Sequence, residues 1–140
     1  MADLDKVAPR HRVLIVDDEE ATRLLLARIL SSELKVEVQL AGTCEQALRL
    51  AEEYAYDAIL LDLLMPGIGG LEVLKEIRAH SPNMATPIVV VTVVSDPETR
   101  EQCMSAGASA YLVKPIERAA LAATVKAQIE GRRRAARIKG

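Results

Sequence analysis

The chain has 140 residues and a net charge of −2, and half of its residues are apolar although only 2% are aromatic. That length suits one domain that buries its core without disulfide or metal staples, and three tyrosines with no Phe or Trp make that core aliphatic and argue against base-stacking platforms for single-stranded nucleic acid. Cys44 and Cys103 lack the spacing of a metal site or redox pair, no apolar run reaches membrane-span length, and Met1 to Arg10 lack a signal-peptide core, so we expect a cytoplasmic protein without membrane contact.

Residues 1–10 are mixed and polar and read as a flexible lead-in, with His11 exposed at its end. Val13-Leu14-Ile15-Val16 is a wholly apolar run stopping at Asp17-Asp18, the pattern of a buried strand. Glu19 and Glu20 open a helix, with Ala21, Leu24, Leu25, Arg28 and Ile29 setting its period and an end near Ser31-Ser32. Val36 to Leu40 alternates apolar and polar residues and predicts an edge strand. Thr43 with Gln46 forms a capping box for a helix reaching about Tyr54.

A third strand runs from Asp57 to Leu61 and ends at Asp62, ahead of a Pro66-Gly67 turn. The next helix covers Leu71 to His80, with His80 as a cationic cap. Ile88 to Val94 is β-prone throughout and predicts a central strand. Ser95 with Glu98, or Asp96 before Pro97, starts a polar helix that ends at Gly107 and has few apolar anchors. Ala110 to Val113 is a short fifth strand ending at Lys114-Pro115, and Leu121, Val125 and Ile129 carry a last helix. Residues 131–140 hold five basic groups and no acid, leaving the first 130 with a charge of −7. We read this end as a basic C-terminal tail, a solvated helix end or a linker.

Strands alternating with helices call for a parallel sheet with helices on both faces. All strands of such a sheet end on one edge, so Asp17, Asp18, Asp62, Thr92 and Lys114 converge there although they are distant in sequence. Crowded carboxylates repel one another unless a cation neutralises them, and a hard ion with oxygen ligands does so: Mg²⁺ fits, with Mn²⁺ as an alternative. Thr92 and Lys114 then complement a phosphoryl group with a hydroxyl and a positive charge.

The combination of Val13–Asp18, Leu61-Asp62-Leu63-Leu64-Met65-Pro66-Gly67, Val91-Thr92 and Tyr111-Leu112-Val113-Lys114-Pro115 resembles a bacterial two-component response-regulator receiver domain, over roughly residues 11–130. The resemblance implies a flavodoxin-like, doubly wound five-stranded sheet of order 2-1-3-4-5, with the site at the switch between strands one and three. It implies Asp62 as phosphoacceptor for the phosphohistidine of a histidine kinase or phosphotransfer protein. Asp18, Asp62 and the Leu64 carbonyl would hold Mg²⁺ directly, and Asp17 would act mainly through metal-bound water. Thr92 and Lys114 would bind phosphoryl oxygens, and the Lys114–Pro115 bond would be cis. Tyr111 would swing with Thr92, so that the face of helix four, strand five and helix five reports the change to an output partner. Such a module assists only its own phosphorylation and dephosphorylation and is not a turnover enzyme.

Several positions depart from the family pattern. Val93 is bulky where a very small residue is usual, and Leu64 and Val94 are apolar and cannot position a water, so phosphorylation by small donors should be slow and the phosphoaspartate long-lived. Gly69 weakens the third helix's N-cap, and Ser109-Ala110 lacks the acids of relatives that dimerise through strand five. Two other readings stand beside the receiver. A Mg²⁺-dependent phosphohydrolase with an aspartate nucleophile needs an acid–base aspartate where Leu64 stands. A DNA-binding regulator needs an output domain beyond Gly140, since about ten residues of basic tail are too few for a helix-turn-helix.

Overall fold

The computed structural model describes residues 10–139, so the expected lead-in lies, apart from Arg10, outside the described residues. Ten elements alternate: β1 (His11–Val16), α1 (Glu20–Glu33), β2 (Val36–Ala41), α2 (Cys44–Glu53), β3 (Ala58–Leu61), α3 (Gly70–His80), β4 (Ile88–Thr92), α4 (Pro97–Ser105), β5 (Ala110–Val113) and α5 (Arg118–Lys139). The strands form one parallel sheet of order β2-β1-β3-β4-β5. This is the flavodoxin-like order, with its reversal between β1 and β3.

Successive strand residues face opposite sides of the sheet, and two aliphatic cores follow from that alternation. Leu14, Val16, Ile59, Leu61 and Val90 meet α2, α3 and Cys103 of α4 on one side. Val13, Ile15, Leu60, Val89 and Val91 meet Leu26, Ile29 and Leu30 of α1 and Leu121, Val125 and Ile129 of α5 on the other. Every residue of β3 and β4 is buried, as central strands covered on both faces require, whereas β2 is part-exposed at the edge. Cys44 and Cys103 are free and buried.

Several local expectations need correcting. The buried face of α1 is Leu26, Ile29 and Leu30, while Leu24 and Leu25 are about half exposed. The run Leu24-Leu25-Leu26 fits more than one helical stripe, and only docking on the sheet selects one. His11 is the first residue of β1, part-buried and paired with Val36, with Nδ1 3.7 Å from Asp57 Oδ2. Strand four stops at Thr92, because Val93 leaves the sheet and lies exposed.

At α4 the Asp96-Pro97 start prevails: Asp96 accepts from the Thr99 N–H and Pro97 occupies the first turn, and Cys103 is the helix's one buried residue. At α2 Thr43 accepts from the Gln46 N–H, but the Gln46 side chain reaches back to the Gly42 N–H, one residue before the cap. The basic stretch 131–139 continues α5 as helix.

Candidate functional site

Asp62 lies directly beyond β3, where its N–H still donates to Val16 O and the residue is buried. Its Oδ1 accepts from the Leu64 N–H at 3.2 Å, and its Oδ2 from Lys114 Nζ at 3.0 Å. The backbone of α3 presses on this turn. A Cβ on Gly70 would lie 2.2 Å from Asp62 O and 2.6 Å from Leu63 Cα, so only glycine permits the approach, and the Gly70 N–H donates to Leu63 O. Gly67 and Gly69 adopt φ of +94° and +85°, and Gly69 caps α3 without a side-chain bond.

Asp17 is buried at the end of β1 and held at four points. Its N–H donates to Ala41 O, its Oδ1 accepts from the Glu19 N–H, its Oδ2 from Lys114 Nζ at 2.8 Å, and its carbonyl from Arg23 Nη1 at 2.7 Å. Asp18 is exposed, yet Asp17, Asp18 and Asp62 each bring a ligand oxygen within 4.8 Å of the others. A hard-oxygen trio of this kind suits Mg²⁺ better than a softer ion.

Lys114, immediately after β5, therefore bridges two carboxylates whose side chains are only 2% and 8% exposed. Burial pulls its pKa down, but the hydrogen bonds and charges of Asp17 and Asp62 outweigh that and leave it above the usual lysine value. The ammonium is the cation that makes the crowding of acids tolerable. The following peptide, Lys114–Pro115, is cis.

Thr92 is fully buried at the end of β4, where its carbonyl accepts from the Lys114 N–H and its hydroxyl from the Val94 N–H at 3.4 Å. Tyr111 on β5 is turned inward and 8% exposed: its hydroxyl donates to Val94 O at 2.6 Å, and Arg100 lies 5.9 Å from the ring centroid. Burial, chiefly, pushes its phenol above the usual value. The β4–α4 loop thus ties Thr92 and Tyr111 to the same residue, Val94. Leu64 and Val93 are more than half exposed. All the expected site residues except Asp18, Leu64, Val93 and Pro115 are thus at least part-buried, and the three acids, Thr92 and Lys114 share one edge. Arg23 and Gly70 were not anticipated. The Gly69-Gly70 pair was the signal for a close approach, but nothing in the sequence marks an arginine that bonds a carbonyl.

Residues 13–126 match the model of the response regulator receiver domain. The chain belongs to that family. It is 39% identical over 116 residues to the sensory/regulatory protein RpfC of Xanthomonas campestris pv. campestris, an alignment covering 81% of this chain and 16% of RpfC. A CheY-like receiver domain from Methanospirillum hungatei superposes with a TM-score of 0.84 at 28% identity, covering 90% of this chain and 98% of that one. The receiver domain of the sensor histidine kinase PA1611 from Pseudomonas aeruginosa superposes at 0.79 and 33% identity, covering 87% and 99%, and it carries a magnesium ion in its active-site cleft. The receiver reading is a phosphorelay reading, and no described helix is long and apolar enough to cross a membrane.

Proposed function

We propose that this receiver takes a phosphoryl group onto Asp62 from the phosphohistidine of a histidine kinase or phosphotransfer protein. The observation that carries the reading is the Lys114 ammonium bonded at once to Asp17 and Asp62. A part-buried cation shared between two buried carboxylates is poised to follow negative charge when the charge on one of them changes.

An Asp62 carboxylate oxygen attacks phosphorus in line as the P–N bond breaks, and the departing imidazole keeps the electron pair. Lys114 exchanges its bond to Asp62 for one to a phosphoryl oxygen. Thr92 turns its hydroxyl from the Val94 N–H towards another. Asp18, Asp62 and the Leu64 carbonyl would hold Mg²⁺, with Asp17 acting through water and Mn²⁺ as a substitute. The ion supplies charge neutralisation for the phosphoryl oxygens.

Movement of Thr92 would reach Tyr111 through Val94, to which both are bonded, and alter the face of α4, β5 and α5 that an output partner reads. The chain acts in this reading as a switch and assists only its own phosphorylation and dephosphorylation. Residues 11–130 would form the receiver and 131–140 a basic tail or linker, with contact to nucleic acid only if an output domain follows.

Intact-mass measurement after incubation with Mg²⁺ and acetyl phosphate tests this. The wild type should gain one phosphate and Asp62→Asn none; equal uptake by the two, or none by the wild type, overturns the assignment.

A further inference from the structure

Asp18 is the exposed member of the acidic trio, and no side-chain bond of its own fixes it among the described residues. Its place depends on the two peptide units that flank it. The one after it is tied by the Glu19 N–H, which donates to Asp17 Oδ1 at 2.9 Å. The one before it is tied by Arg23, whose Nη1 donates to the Asp17 carbonyl at 2.7 Å. We infer that Arg23 is a positioning residue for the cation site, acting through the Asp17–Asp18 peptide to aim the Asp18 carboxylate at Asp62. This rests on the reading of the three acids as a Mg²⁺ site.

The geometry around Arg23 supports a fixed rather than a casual contact. The residue sits on the first turns of α1, six positions after Asp17, and is part-buried. Its guanidinium lies over the β2–α2 turn, where a Cβ on Gly42 would come within 2.9 Å of Nη1 and 3.3 Å of Cζ. Gly42 is itself held there by the bond from its N–H to Gln46 Oε1. The absence of a side chain at 42 is what leaves room for the arginine to reach the carbonyl. Three turns are joined by this one group: the end of β1, the start of α1 and the end of β2.

Charge alone makes the opposite forecast from positioning. A guanidinium bonded to the carbonyl of Asp17 adds positive charge at the acidic end and opposes the arrival of a divalent cation, so its removal should tighten Mg²⁺ binding if electrostatics decides. Loss of a group that orients ligands weakens metal binding instead, commonly by about 10- to 100-fold.

Calorimetric titration of the full chain with MgCl₂ separates the two, with urea denaturation run on the same samples. Arg23→Ala should raise the Mg²⁺ dissociation constant by about tenfold. Arg23→Lys keeps the charge but not the planar donor fork, and should bind more weakly than wild type yet better than Arg23→Ala. Gly42→Ala leaves Arg23 intact but pushes its guanidinium aside, and should also bind more weakly. Unchanged or tighter binding by Arg23→Ala overturns the inference. If that variant does not fold, wild-type affinity in both Arg23→Lys and Gly42→Ala overturns it. Failure of the wild type to bind Mg²⁺ would overturn the cation site itself, an outcome distinct from a wild type that binds and variants that match it.

Discussion

Buried polar groups collect at both ends of the sheet, and the two collections are built on different principles. At the end opposite the acids, Asn83 and Thr86 are fully buried in the loop between α3 and β4. Asn83 accepts from the Tyr56 N–H and the Thr86 hydroxyl and donates to the Ala51 and Tyr54 carbonyls. Arg78 gathers the carbonyls of Asn83, Met84, Thr86 and Gly107, and Arg132 of α5 reaches Tyr56 O and Thr86 Oγ1. There the side chains bond mostly to backbone, whose groups have no other state to adopt. At the acidic end the Lys114 ammonium bonds to two carboxylates, and under the proposed function each of these bonds would give way to a metal ion or a phosphoryl oxygen. One end is a staple and the other a site, although both leave no buried side-chain polar atom unpaired among the described residues.

Removing the central group at each end should separate these roles. Lys114→Met leaves Asp17 and Asp62 buried without their cation, and breaking a buried pair in this way costs about 3–5 kcal/mol. Mg²⁺ should recover much of that loss in a urea titration, because it neutralises the same carboxylates, while phosphate uptake on Asp62 stays low. Asn83→Ala should cost about 3 kcal/mol, since the Tyr56 N–H and two carbonyls lose their partner. Mg²⁺ should restore nothing there, and the folded variant should still take up phosphate. A Mg²⁺-independent Lys114→Met, or a folded Asn83→Ala that cannot be phosphorylated, would break the distinction.

Alkaline pH probes the staple end by another route. Burial pushes the Tyr56 phenol up to about 12, with Arg12 opposing the shift. A folded value above the unfolded one means stability present below about pH 10 and lost as pH rises towards 12, by up to about 2–3 kcal/mol. Tyr111 and Lys114 are shifted the same way, so they add slope of the same sign. Tyr56→Phe should flatten the stability profile between pH 10 and 12 without abolishing its fall. An unaltered profile would refute Tyr56 as a contributor.

The difference between the two ends also explains what could be read from the sequence. Asp17, Asp62 and Lys114 were legible because each closes an apolar run, with Asp18 next to the first of them, and a parallel sheet sends all such endings to one edge. Thr92 lies inside the run from Ile88 to Val94 and was singled out as a hydroxyl there, without the strand's end being marked. The staple was not legible: Asn83 and Thr86 sit between Pro82 and Pro87 in a segment composed like any loop, and their partners are backbone atoms that every residue carries. Arg78 and Arg132 look like solvated helix cations until the loop folds beneath them. The stripe of α1 was ambiguous for a related reason, because three successive leucines satisfy the helical period in more than one way. Side chains that bond to backbone, and helices with surplus apolar residues, are resolved only by tertiary docking.

The smallest expected effect on stability falls at the acidic end, on a residue that touches none of the charges. Val93 follows the buried Thr92 and is 58% exposed, so its side chain is supported by little of the core. Val93→Ala should therefore change stability by less than about 0.5 kcal/mol. The rate at which acetyl phosphate labels Asp62 should nevertheless rise, because a valine where receivers usually carry a very small residue would narrow access to the carboxylate. Leu64, also exposed and apolar, offers no group to orient a hydrolytic water, so the phosphorylated form of Val93→Ala should still decay slowly. A faster label with unchanged decay locates the two apolar residues in different steps: one restricts entry of the donor, and the other withholds help from water. An unchanged labelling rate refutes the access argument for Val93.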